Sequence, residues 1–112
     1  MPASSQEPAI FTFSALLHCC DGDEVLARDV AALMCIEIDR ARRTLEDADG
    51  DARQRCAHAI KGAALNCGAV NLACKAARLE EVPHDRVRIR EMMEELALVD
   101  RELRVLEVGA ES

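Results

Sequence analysis

An imidazole and an ammonium stand three residues apart in the run His58-Ala59-Ile60-Lys61-Gly62-Ala63-Ala64-Leu65-Asn66-Cys67-Gly68. Near neutral pH an imidazole is a nucleophile and a base, and a lysine beside it stabilises whatever anion the ring acquires. The alanine-rich composition predicts a helix, with Gly68 placed where a helix stops. On that helix Arg55, His58, Lys61, Gly62 and Leu65 share one exposed face, while Cys56, Ile60, Ala63 and Cys67 have the spacing of a buried stripe. Ala57, Ala59 and Ala63 keep the flanks small, so the ring of His58 stands clear of its own helix. Gly62 costs about 1 kcal/mol relative to alanine in a helix interior. A glycine in so regular a pattern marks a place where something approaches the backbone closely.

The elements that must position these residues are helical throughout. Residues 1–8 read as a loose leader, and a short helix follows from Ile10 to about Cys20, with Phe13, Leu16, Leu17 and Cys20 at helical spacing. Asp21-Gly22-Asp23 interrupts it, and Asp21 with Glu24 three residues on predicts a capping box. The next helix runs from about Glu24 to Asp47, its stripe made of Leu26, Val30, Leu33, Met34, Ile38, Ala41 and Leu45. The acidic cluster 47–51 is a loop, in which Asp49 or Asp51 caps the helix of His58. After Gly68 a helix covers Val70 to Val82, with Leu72, Ala76 and Leu79 inward, and Pro83 ends it. Asp85 caps the last helix, whose Ile89, Met92, Leu96, Val99, Leu103 and Leu106 hold the 3–4 spacing. Gly109 and the acidic residues 110–112 close the chain. Four amphipathic helices joined by short loops predict an all-α, antiparallel up-down bundle, with the short first helix across one end.

The bulk properties narrow the classes of function. A chain of 112 residues makes one domain. It has two phenylalanines and no Trp or Tyr, and a core of Leu, Ile, Val, Met, Ala and Cys suits packed helices better than a sheet sandwich. The net charge of -7 argues against a nucleic-acid binder and against docking on anionic lipid. No apolar run is long enough to span a bilayer, and the polar start lacks the pattern of a secretion signal, which predicts a cytoplasmic protein. The six cysteines include no Cys-x-x-Cys pair, and Cys35, Cys56, Cys67 and Cys74 fall inside helical patterns, which predicts reduced thiols packed mostly as small hydrophobes. No metal site is expected.

The run from His58 to Gly68 resembles the signature of histidine phosphotransfer (HPt) domains: His, any residue, an aliphatic, Lys-Gly, two small residues, and a later Gly. The turn at Gly68 folds the next helix back, so Arg78, Leu79 and Glu80 return to the level of His58, and Leu79-Glu80 matches the Leu-Glu common in that family. The resemblance implies a phosphorelay intermediate that carries a phosphoryl group on His58 between aspartates of receiver domains. It implies that Glu80 accepts a hydrogen bond from the ring nitrogen that is not phosphorylated, and that Lys61 neutralises phosphoryl charge. Gly62 then admits a partner's loops, and Leu65, Arg55 and Arg78 become docking contacts. The expected partners are receiver domains and a hybrid histidine kinase. Mg²⁺ and most of the catalytic groups lie in the receiver, so the chain is a covalent carrier rather than an enzyme, and it works as a monomer.

Three rival readings stand beside this one. A helical adaptor would bind receivers without carrying phosphate. A di-metal bundle needs Glu-x-x-His pairs projecting inward from its helices, and no helix here carries one. A histidine kinase dimerisation bundle would need an ATP-binding domain. His18 and His84 lack a Lys-Gly neighbour and read as surface histidines.

Overall fold

The computed structural model of the protein describes residues 11–47 and 49–111, with residues 106–111 described by their backbone alone. The expected leader, Ile10 and the inward place of Leu106 lie outside the described residues. Five helices form: α1 (Phe13–Cys19), α2 (Glu24–Asp47), α3 (Gly50–Cys67), α4 (Val70–Glu81) and α5 (Arg86–Glu111). Each begins or ends where a side chain satisfies backbone groups that the helix itself cannot. Thr12 caps α1, its hydroxyl accepting from the Ala15 N–H at 3.2 Å. Asp49 caps α3 by accepting from Ala52 N–H at 2.9 Å, and Asp85 caps α5 by accepting from Val87 N–H at 2.8 Å.

The cap of α2 is Asp23 rather than Asp21. Its Oδ1 accepts from Leu26 N–H at 3.0 Å. Asp21 is turned away from that role by a left-handed backbone (φ 53°), which it shares with Gly22 as the chain reverses after α1. At the other end of the chain, α5 runs through Gly109 to Glu111, so that glycine is a helical residue and not a stop.

Helices α2 to α5 form a four-membered antiparallel ring in which α3 packs on α2 and α4, and α5 on α4 and α2. The short α1 lies against α2, α3 and α5 and buries Leu16 at the end of the bundle. It closes on the α3–α4 turn, where a Cβ on Gly68 would sit 3.1 Å from the Ala15 carbonyl. Gly68 also holds φ at +81°, so this turn demands glycine twice over, and the turn sets where α4 returns along α3.

The buried faces are rotated from those the large aliphatics predict. In α2 the core residues are Ala27, Ala31, Met34, Ile38, Ala41 and Leu45, a strict 4-3 alternation, while Leu26 and Leu33 are 47% and 63% exposed. In α3 they are Ala57, Ile60, Ala64 and Cys67, with Cys56 and Ala63 only half-buried. Alanines face inward because they let helix axes approach closely, and the regular repeat keeps one seam toward the neighbours along the whole helix. The interior of α4 is as expected, with Leu72, Ala76 and Leu79 fully buried. In α5 Met92, Leu96, Val99 and Leu103 are fully buried as expected, and Ile89 is half-buried.

Of the cysteines expected on apolar stripes, Cys67 is buried and Cys56 half-buried, and burial pushes both thiols up from their ordinary range. Cys74 is exposed. Among the described residues, no helix is long and apolar enough to cross a membrane, and no three His, Cys, Asp or Glu side chains gather as a metal site requires.

Candidate functional site

Helices α3 and α4 make the most extensive contact in the bundle, and both carry alanines on their buried surfaces: Ala57 and Ala64 on α3, Ala73 and Ala76 on α4. On its far side α4 is held to α5 by Asn71, whose amide donates to Glu95 Oε1 at 2.8 Å. Residues near the C-terminus of α4 are thereby brought beside the middle of α3, and the one that faces it is Glu80.

His58 stands out from α3 with 68% of its side chain exposed. Its Nδ1 lies 2.8 Å from Oε2 of Glu80, and Lys61 Nζ lies 2.8 Å from Oε1 of the same carboxylate. One carboxylate therefore serves both residues, one oxygen each. The hydrogen bond from Lys61 first, and that to His58 second, hold the Glu80 carboxyl below its ordinary range. Glu80 is ionised at neutral pH and can only accept. Nδ1 must then carry a proton, and in the neutral ring the lone pair is on Nε2, which has no partner among the described residues.

This geometry has a consequence for stability against pH. A carboxyl whose folded pKa lies below its unfolded value stabilises the fold above the unfolded pKa, and that contribution fades as pH falls through the folded value. Glu80→Gln will melt a few degrees below the wild type at neutral pH, and the gap will close in acid, where wild-type Glu80 is protonated too. Thermal melts of both proteins across the acid range check this; a gap that persists in acid contradicts it.

The other expected site residues are distributed unevenly. Gly62 is exposed on the face of His58, and a Cβ added there would meet no atom within 4 Å. Leu65 is an exposed aliphatic further along α3. Arg55 is exposed and borders a shallow cavity of about 280 Å³ between α2 and α3, whose lining includes Arg40, Cys56 and Ala59. Arg78 is not brought to this face. Two residues before Glu80, it lies on the opposite side of α4, toward α5, where Glu91 is held below its ordinary range by the hydrogen bond from Arg88 first, with smaller contributions from the charges of Lys75 and Arg78. Lys61 makes a contact that its spacing does not announce: its ammonium rests on Glu80.

The spacing of reactive types missed Gln54. Its side-chain amide donates to the backbone carbonyl of Glu80 at 3.0 Å. The available signal was its position one turn before His58 on the same side of the helix.

Comparison with known families supplies the deciding observation, since the Hpt domain family matches residues 25–107, most of the chain. The chain belongs to the Hpt domain family. No curated protein and no solved structure matches it. Membership gives this Hpt domain a histidine phosphotransfer role in two-component signalling, in a family of phosphocarrier modules. The matched span takes in the whole of α3 and α4, and with them His58, Lys61 and Glu80.

Proposed function

We propose that this Hpt domain is a phosphorelay intermediate, taking a phosphoryl group from an aspartate of one receiver domain onto Nε2 of His58 and passing it to an aspartate of another. The observation that carries the reading is the 2.8 Å contact between Nδ1 and Glu80, which commits one ring nitrogen to a proton and leaves the other as a nucleophile in solvent.

In the accepting step the Nε2 lone pair attacks phosphorus in line. The N–P bond forms as the P–O bond to the aspartate breaks, and the carboxylate leaves with its electron pair. No proton has to leave the ring, because Nδ1 keeps its own. The positive charge that develops on the imidazole is drawn toward Glu80, which stabilises it as the buried aspartate does in a serine protease triad. The donating step is the reverse. Lys61 has three donors, so it can keep one on Glu80 and turn another to a phosphoryl oxygen.

In this reading Mg²⁺ and the remaining catalytic groups come with the receiver, and a hybrid histidine kinase loads the relay in the cytoplasm. The partner docks over the exposed strip of Arg55, Gly62 and Leu65, and the domain acts as a monomer.

Phosphoramidate, a small donor that needs no knowledge of the natural partner, tests the proposal. The intact mass of the treated protein will show one phosphoryl group that brief acidification removes. A protein that gains no phosphoryl group overturns the carrier reading and leaves that of a receiver-binding adaptor.

A further inference from the structure

Glu80 occupies the penultimate position of α4, where a helix cannot hold its own end. In a continuing helix its carbonyl would accept from the N–H of His84, but Pro83 breaks the chain's course and has no N–H of its own. The N–H of Val82 is already turned back to the carbonyls of Arg78 and Leu79. The residue that orients His58 therefore sits on a helix end that the local backbone leaves open, and such ends fray.

Gln54 closes it from outside. Its amide reaches across from α3 and donates to the Glu80 carbonyl at 3.0 Å. Gln54, His58 and Lys61 follow one another at intervals of four and three residues, so they form a single row along α3. That row grips Glu80 at three points: Gln54 holds the main chain, His58 one carboxylate oxygen and Lys61 the other. The first of these differs in kind. His58 and Lys61 can hold the carboxylate only where the backbone puts it, and Gln54 fixes where that is.

We infer that Gln54 is a positioning residue for phosphoryl transfer, acting through Glu80 on the tautomer of His58; the inference rests on the phosphocarrier reading above. Without the amide, the last turn of α4 opens, Glu80 spends less time on Nδ1–H, and the ring more often carries its proton on Nε2, where it blocks the lone pair.

Gln54→Met keeps the length and apolar stem of the side chain and removes the donor. Gln54→Lys restores a donor of similar reach. Ring ¹⁵N chemical shifts of His58 report the tautomer without any phosphoryl chemistry, and phosphoramidate labelling reports the rate. In Gln54→Met the Nε2–H form will rise and labelling will slow roughly 2- to 12-fold, the equivalent of one neutral hydrogen bond. Gln54→Lys will return both toward wild type. If Gln54→Met lowers the melting temperature while tautomer and rate stay at wild-type values, Gln54 is a helix-end brace and the inference fails. If wild-type protein takes no label at all, the phosphocarrier reading fails and the positioning role in transfer with it, while the tautomer shifts still show whether Gln54 orients the ring.

Discussion

His58→Gln will lose phosphoryl acceptance completely and leave the bundle as it is. The side chain of His58 is 68% exposed and among the described residues makes one hydrogen bond, to Glu80, so its replacement removes nothing from the core. Glutamine is a good helix former, and the helical circular dichroism and melting temperature will change little. The chemistry has no substitute elsewhere. His18, in the last turn of α1, and His84, in the α4–α5 loop, are exposed, and neither has a carboxylate partner among the described residues to fix its tautomer. Labelling of wild type and variant in parallel with phosphoramidate checks this. Equal label on both would move the site away from His58.

Gly62→Gln will raise stability and slow exchange with a receiver. The free protein has room for the new side chain, since a Cβ at Gly62 meets nothing within 4 Å. Replacing a helical glycine by glutamine gains on the order of 0.5 kcal/mol, visible as a rise of a few degrees in melting temperature. The same side chain projects from the face of His58 into the space that a docked partner would occupy. Transfer from a phosphorylated receiver will fall by about tenfold or more, the equivalent of ~1.4 kcal/mol of lost docking energy. Labelling by phosphoramidate will stay near the wild-type rate, because a small donor needs no docking surface. Receiver transfer and small-molecule labelling measured on one preparation separate the two effects. Undiminished receiver transfer would show that the partner does not approach the helix at Gly62.

Much of this site is legible in the chain because helices convert spacing into position. Gly68 marks the turn, and His58 and Glu80 stand at nearly equal separations before and after it, which brings them level on α3 and α4. Caps at Asp49 and Asp85 are legible for the same local reason: an aspartate before a helix has a backbone N–H within reach. What stays hidden depends on the neighbours. Hydropathy ranks Leu26 and Leu33 above Ala27 and Ala31, but close helix packing selects the alanines, and only the assembled bundle shows which face is turned inward. Asp21 and Asp23 are equivalent as letters, and a left-handed φ decides between them. That Lys61 shares Glu80 with His58 shows only once the second oxygen of that carboxylate is placed beside it. Arg78 reads as a neighbour of Glu80 along the chain, yet two residues of helix turn it to the other edge. Gln54 is the extreme case, since its partner is a main-chain carbonyl whose need arises from a proline three residues further on.

The most direct test is to find which ring nitrogen of His58 carries the phosphoryl group. Protein labelled with ¹⁵N in its histidine rings would be phosphorylated and observed by ¹⁵N and ³¹P NMR. The account predicts phosphorus bonded to Nε2, with the proton of Nδ1 retained on the side of Glu80. Phosphorus on Nδ1, or on any residue other than His58, would contradict it.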